Sequence, residues 1–378
     1  MTQEITTAKV KTKETVFYPR LKAMTDEWTD LFGYWAPTVV TDTLEEYRAV
    51  REQAGLMDFS MLRKWDLDGP GARDVINHVV TRDIGRLRSG QIVYSALCND
   101  QGKMVDDCTV AVRSDDHIRF CGANDKDQLS FERQAAGTGV RVRHYTDEIG
   151  HLCLQGPKSR EWLQALTDSD LSRKAFPYYT FKEQVTIAGM PVFMTRLGYT
   201  AELGYELWAP ADRAVEFFDR LVAILEPKGM RLVGMTALDL LRIEGGFIIG
   251  GIEYDETVSP YECALDWAIE YDKRDFQGKA ALLKDRETAP VRLTSVVLES
   301  GGEAATGASI SVGGATVGLV TQAIVSPYLG GKTLGLAKLR KDLVEPGTRI
   351  SAKVGGKEVR GEVVRHHVYD PERMRVRS

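Results

Sequence analysis

The sequence carries little from which a metal centre or a disulfide framework could be built. Its 378 residues include five cysteines, Cys98, Cys108, Cys121, Cys153 and Cys263, an odd number with no C-x-x-C pair. They read as reduced, mostly buried thiols of a cytoplasmic protein. Six histidines are scattered. The one adjacent pair, His366 and His367, would point to opposite faces of a strand, which gives a surface reading and no metal site. Positive charge is also scarce: 49 Lys and Arg against 54 Asp and Glu leave a net charge of −5. Without a basic face, nucleic acid is excluded as a partner. No apolar run approaches the roughly 18 residues of a membrane helix. The stretch from Gly246 to Ile252 is short and glycine-broken, and the polar N-terminus has no secretory core, so no membrane association is expected. The glycines at 245, 246, 250 and 251 do not have dinucleotide-loop spacing, and neither a P-loop nor a G-x-S-x-G elbow occurs.

What is present is a soluble, globular composition, 43% hydrophobic and 27% charged. At roughly 150 residues per domain, the length suggests two or three domains. An aromatic cluster, Trp28, Phe32, Tyr34 and Trp35, precedes a helix that begins at a T-L-E-E capping box, Thr43 to Glu46, and is closed by Gly55. A second helix is expected from about Pro70, and a third from Ala211 to Glu226. Ile92 to Leu97 and Met104 to Val112 flank N-D-Q-G and predict an antiparallel hairpin. Strands and helices mix without regular βαβ alternation, which indicates α+β. After R-E-T-A-P, Arg286 to Pro290, read as a linker, Gly-Gly hairpins at I-S-V-G-G-A-T-V and I-S-A-K-V-G-G-K-E-V predict a C-terminal all-β domain, barrel-like, from residue 288.

Three segments hold candidate chemistry. In M-V-D-D-C-T-V, Asp106 and Asp107 interrupt an apolar strand, so one of them points inward. A buried carboxylate needs a partner or a task, though a turn or edge aspartate is an equal reading. In R-L-G-Y-T-A-E-L-G-Y-E, a glutamate can accept two parallel N–H bonds beside a flat tyrosine wall, and the alternative is a solvated surface hairpin. In L-D-L-L-R-I-E-G-G, Arg242 and Glu244 end an apolar helix, where pairing with each other is the plainer reading.

Eight stretches, in order along the chain, resemble the folate-dependent aminomethyltransferase family that includes the glycine-cleavage T-protein. They are Glu45 to Ser60, Tyr94 to Asp107, Leu154 to Lys158, Gly198 to Glu206, Leu241 to Gly246, Asp255 to Pro260, Arg274 to Leu282 and Ser326 to Ala337. The resemblance implies a three-domain cloverleaf around a central tetrahydrofolate site. Residues 1–64 and 150–287 would form a discontinuous first domain, 65–149 a second and 288–378 the C-terminal barrel. It implies that Asp107 is the catalytic carboxylate, that Tyr94, Tyr199 and Glu206 bind the folate, and that Arg242 supplies a local cation for the anionic folate.

The chain departs from the family at D-F-S-M-L (Asp58 to Leu62), at Leu238 for an arginine, at Ala111 for a tyrosine and at Gly122 for an asparagine. The folate half looks kept and the donor half rebuilt. This favours a small methylated donor over a lipoyl carrier protein, with Tyr34 and Trp35 as candidate donor-binding rings, although a core role for those rings stands equally. The expected activity is methyl transfer to tetrahydrofolate. The alternatives are a true aminomethyltransferase making methylenetetrahydrofolate, or a non-catalytic folate-binding assembly protein. The latter's K-G-C-Y-x-G-Q-E signature is absent.

Overall fold

The computed structural model describes residues 11–378. Its architecture is α+β and closes with a barrel. A six-stranded sheet runs in the order Phe181–Ile187, Met190–Thr195, Gly204–Pro210, Ile149–Gln155, Gly55–Asp58, Arg231–Leu232. A five-stranded antiparallel sheet runs Ile92–Cys98, Met104–Ser114, His117–Gly122, Arg63–Asp68, Arg141–His144. The six barrel strands are Val291–Leu298, Lys332–Arg340, Ala315–Ser326, Ser309–Val312, Arg349–Val354 and Lys357–Val364.

Period-two alternation decides what each sheet face does. On the strand Gly204–Pro210, Tyr205, Leu207 and Ala209 enter an apolar core with Phe217, Phe218 and Leu221 of the helix Ala211–Leu225. Glu206 and Trp208 therefore share the other face. The barrel core is likewise one residue in two, with Val296 and Leu298, Leu339 and Ala337, and Ile350 and Ala352 inside. Both of its expected Gly-Gly hairpins are present, Gly313–Gly314 and Gly355–Gly356, each with two positive φ values, as the turn requires.

Local readings need three corrections. The helix Thr43–Glu52 is capped by Asp42, whose carboxylate accepts from the N–H groups of Leu44 and Glu45 at 2.9 and 3.0 Å. Glu46 instead reaches back to the N–H groups of Val40 and Thr41 and across to Gly234. Gly55 begins a strand, the helix having ended at Glu52. The segment read as a linker is mostly the last turn of the helix Lys279–Thr288, and the barrel strands start at Val291.

The helix Met235–Glu244 joins the halves of the molecule. It is largely buried, and the two charged residues of its last turn, Arg242 and Glu244, do not pair with each other. Arg242 donates to Asp239 at 3.0 Å, to Glu253 at 2.8 Å, to the Phe247 carbonyl and to Gln322 of the barrel. Glu244 accepts from Arg51 and Tyr47, both at 2.8 Å, and from Ser326 of the barrel at 2.7 Å.

Candidate functional site

A cavity of about 460 Å3 is walled by both sheets, by the Met235–Glu244 helix and the loop after it, and by the segment that follows the last barrel strand. That volume lies within the range of small-molecule sites. Four sequence-chosen residues meet on its wall: Tyr94, Asp107, Tyr199 and Glu206.

Asp107 and Tyr94 arrive together because of strand register. Asp107 pairs with Ala96 and Tyr94 with Thr109, so both side chains stand on one face of adjacent strands. Tyr94 donates to Asp107 Oδ2 at 2.7 Å, and Tyr254 donates to Oδ1. Burial raises the Asp107 pKa, and the two phenols oppose that rise. Asp106, on the opposite face, is 1% exposed. Its Oδ2 accepts from the Ala123 and Asn124 N–H groups at 2.5 and 3.1 Å. Burial and the charge of Asp107 push Asp106 up to about 7. The aspartate pair is thus turned inward on both faces, Asp106 into the protein and Asp107, half-buried, into the cavity.

Glu206 lies opposite Cys153 and Thr195 in the six-stranded sheet. Its Oε2 accepts from Thr195 at 2.9 Å and lies 3.4 Å from His151 Nε2. Burial lowers His151 to about 4, so the ring is neutral at physiological pH, and the contact requires its proton on Nε2. Although burial opposes it, these partners hold Glu206 below the usual carboxylate range. Lys64 is fully buried nearby. It donates to the Leu62 and Ser60 carbonyls at 2.7 and 3.2 Å and faces the Trp208 ring at 5.4 Å. Burial lowers its pKa against the pull of Asp58 and Glu206. His151, Cys153 and Glu206 bring ligand-type atoms within 4.8 Å of one another. Burial keeps the Cys153 thiol protonated, however, and a buried lysine beside the group suits a hydrogen-bonded cluster better than a cation site.

Tyr199 donates to the Ile248 carbonyl and lies 5.2 Å from the Phe247 ring. Trp267, which sequence reading passed over, stacks on Tyr94 at 5.7 Å with 15° between planes.

Three expectations fail. Tyr34 and Trp35 are absent from the cavity wall. The Tyr34 phenol is drawn outward to Asp147 and carries the Arg63 guanidinium 5.1 Å above its ring, one layer behind Leu31, Phe32 and Met61. Trp35 pairs with Asp30 on the far side of the hairpin. Arg242 is absent from the cavity wall, its guanidinium being taken up by Asp239 of its own helix, by the Phe247 carbonyl and Glu253 of the loop that follows, and by Gln322 of the barrel. The cations on the cavity wall are Arg373 and Arg377, beside His366 and His367, the pair first read as surface residues. Burial depresses both histidines, to about 3 and about 4, and both are neutral.

The wall contributed by Leu31, Phe32, Met61 and Met235 is one apolar cluster, and Leu62 and Leu238 also face the cavity. Phe32 and Gly33 form the two-residue turn of the hairpin, both at positive φ (53° and 81°). Phenylalanine is costly there. The turn is held by Arg63, which donates to the Phe32 carbonyl at 2.8 Å and pairs with Asp125. Ala111 packs with Ile92, Phe181 and Leu197, away from the main cavity wall.

The family model for the GCVT N-terminal domain matches residues 17–273, and that for the glycine cleavage T-protein C-terminal barrel domain matches residues 292–370. The chain belongs to the glycine-cleavage T-protein family. Among its relatives, the aminomethyltransferase of Halothermothrix orenii is 33% identical over 356 residues, 93% of this chain and 99% of that protein. The aminomethyltransferase of Shouchella clausii is 34% identical over 343 residues, 89% of this chain and 93% of that one. The trimethylamine-oxide aldolase of Ruegeria pomeroyi is 31% identical over 381 residues, which span 97% of this chain and 48% of that longer protein. The crystal structure of glycine cleavage system aminomethyltransferase T from Bartonella henselae superposes with a TM-score of 0.86, covering 96% of this chain and 99% of that one at 23% identity, and so has the same fold. The protein is therefore a member of a one-carbon-transferring enzyme family. None of its helices among the described residues is long and apolar enough to cross a membrane.

Proposed function

We propose that this protein transfers a methyl group from a small methylated donor to tetrahydrofolate. The observation that carries the reading is the division of one cavity into a carboxylate wall, with Asp107 and Glu206, and an apolar wall built from Leu31, Phe32, Met61 and Met235. An ionised, acceptor-only Glu206 suits the N–H edge of a reduced pteridine, and Tyr94, Tyr199 and Trp267 offer flat surfaces for its rings. Arg373 and Arg377 take over from Arg242 as the local cations for the glutamyl end. The apolar wall suits a methyl-bearing group.

In such a transfer the pteridine nitrogen attacks the methyl carbon in line. The N–C bond forms as the bond to the leaving group breaks, the leaving group keeps the electron pair, and the nitrogen sheds its proton. Positive charge develops on the nitrogen, and a fixed anion in a site of low dielectric stabilises it. Asp107, with both oxygens held by phenols, is placed for that task without reorganisation. Alignment and exclusion of water supply the rest.

The aminomethyltransferase reading stands second, favoured by relatives that match nearly their whole length. One experiment separates the two. The pure protein is incubated with tetrahydrofolate and a panel of N-, O-, S- and halo-methyl compounds, or with an aminomethylated lipoyl carrier, and the folate product is identified. Methyltetrahydrofolate from a small donor supports methyl transfer. Methylenetetrahydrofolate formed only from the carrier sinks it.

A further inference from the structure

Below the cavity floor lies a group of side chains that the transfer step itself does not use: Tyr254, Asp106 and Asp127. Tyr254 is 3% exposed and absent from the cavity wall. Its hydroxyl stands within hydrogen-bond reach of Asp107 Oδ1, of Asp106 Oδ1 at 3.1 Å and of the Asp107 N–H at 3.0 Å. It has one proton to give. The Asp107 N–H can only donate, and it is shared between the Tyr254 oxygen and Asp106 Oδ1, each at 3.0 Å. The phenol proton goes to the nearer carboxylate oxygen, Asp107 Oδ1.

That leaves Asp106 Oδ1 facing a phenol oxygen whose proton is already used. Two acceptors at 3.1 Å repel unless one carries a proton. Asp106 Oδ2 accepts two backbone N–H bonds, whereas Oδ1 has only a share of the Asp107 N–H, so the proton belongs on the less engaged Oδ1. A second carboxyl reinforces this assignment. Asp127 is fully buried, and neither of its oxygens has a hydrogen-bond partner. Gly122 marks where it meets Asp106: a Cβ there would lie 2.3 Å from Asp106 Oδ2 and 2.8 Å from Asp127 Oδ2. Two buried carboxyls converging without a donor between them do not both ionise.

We propose that Tyr254 and Asp106 are positioning residues, linked in a one-way chain in which Asp106 donates to Tyr254 and Tyr254 to Asp107, so that Asp107 faces the cavity as a fixed carboxylate. The inference rests on the reading of Asp107 as the anion of the reacting centre. It also accounts for Gly122: any side chain at that position would collide with Asp106 Oδ2 and displace the acid that begins the chain.

The titratable groups facing the pair are Tyr94 from the neighbouring strand, Tyr254 from the loop after the Met235–Glu244 helix, Asp127, and the Cys108 and Cys121 thiols, with Tyr199 further off. None is a cation, so hydrogen bonding is what opposes burial in keeping Asp107 charged. Burial and the Asp107 charge raise Asp106 to about 7, and burial and the neighbouring carboxyls raise Asp127 well above the ordinary aspartate value.

The test is carboxyl NMR of the full chain labelled with 13C at the aspartate carboxyls, with Asp107 assigned through D107N. In Tyr254→Phe the Asp107 titration midpoint should rise by about one pH unit or more, the loss of one hydrogen bond to a charged group. Tetrahydrofolate affinity should stay within about threefold. A role in packing alone would lower the stability and leave the midpoint in place, and a midpoint unchanged in Tyr254→Phe overturns the proposal. In Asp106→Asn, an amide N–H replaces the acid proton, and the Asp107 midpoint should stay within about half a unit of the native value. A fall of more than about one unit would mean that Asp106 is the anion, which reverses the chain and also overturns the proposal. These titrations need no donor. If they behave as expected while no methyl compound reacts, the proposed function falls and the hydrogen-bond chain stands.

Discussion

The two carboxylates on the cavity wall are maintained in opposite ways. Glu206, on the six-stranded sheet, has a neutral histidine, a threonine and a buried lysine around it, and stays below the usual carboxylate range. Asp107, on the five-stranded sheet, has two phenols and two further carboxyls but no cation, and its pKa is raised. A group that only recognises a ligand gains by being permanently ionised. A group that stabilises charge during the reaction gains by lacking a cation that would compete with the developing positive centre. Under the proposed function, the difference suits Glu206 to binding and Asp107 to transition-state stabilisation.

The most direct way to break that comparison is to exchange each carboxylate for its amide. Asp107→Asn should lower the rate of methyltetrahydrofolate formation by about 100- to 1,000-fold, the usual effect of removing one fixed electrostatic stabiliser. Folate affinity, measured by fluorescence titration, should change less than about threefold, because Asp107 acts mainly on the transition state. Glu206→Gln should do the reverse, weakening tetrahydrofolate binding by about 10- to 100-fold, the equivalent of one charge-assisted hydrogen bond. Turnover at saturating folate should fall far less. Equal losses of affinity and rate in both variants would erase the distinction.

A pH series sharpens the same point. The raised pKa of Asp107 means that turnover is complete above that pKa and is lost as pH falls through it. The lowered pKa of Glu206 means that folate binding persists to lower pH before it is lost. The limb for turnover should therefore lie at higher pH than the limb for binding, measured on the same samples. Coincident limbs would show one titrating group serving both steps.

The carboxylate wall was readable in the sequence chiefly through the family resemblance, which singled out Asp107, Tyr94, Tyr199 and Glu206 where the local patterns left two readings open. Strand alternation allowed one aspartate of the pair to be buried, and the register puts Tyr94 two residues from the position opposite Asp107, on the same face. The apolar wall was misread by one layer. Aromatic composition pointed to Tyr34 and Trp35, but an outward hydrogen bond from Tyr34 to Asp147, 113 residues away, leaves the wall to Leu31 and Phe32. Arg242 was misread for a similar reason, since its partners Glu253 and Gln322 lie 11 and 80 residues further along the chain. The cations that do line the cavity, Arg373 and Arg377, sit in a charged C-terminal stretch that no motif distinguishes. A glycine at 122 could be seen as a departure from the family pattern, but the two carboxyls crowding it come from positions 16 residues before and 5 residues after it, in separate elements.

A smaller effect is expected at the turn of the hairpin. Phe32→Gly removes an aromatic ring from the apolar wall and relieves a non-glycine residue held at positive φ. The turn itself should gain up to about 1 kcal/mol in urea unfolding, while the KM for the methyl donor rises several-fold with tetrahydrofolate affinity unchanged. A loss of folate affinity instead would place the ring on the folate side of the cavity and move the boundary between the two walls.

The smallest effect belongs to Asp127, which touches no ligand yet bears on the whole carboxylate wall. Its pKa in the folded chain lies well above the ordinary aspartate value, because burial and Asp106 both oppose its charge. Between the unfolded and folded values the native state binds the extra proton, so stability declines as pH rises through that window. Asparagine at 127 has no proton to lose. Asp127→Asn should therefore match the native protein in urea unfolding near pH 6 and exceed it by about 1 kcal/mol near pH 8.5, the order of cost for a buried group lacking a partner. A variant less stable at both pH values would mean that the native Asp127 is a satisfied anion. Asp127 would then be a third anion beneath the wall that carries Asp107 and Glu206.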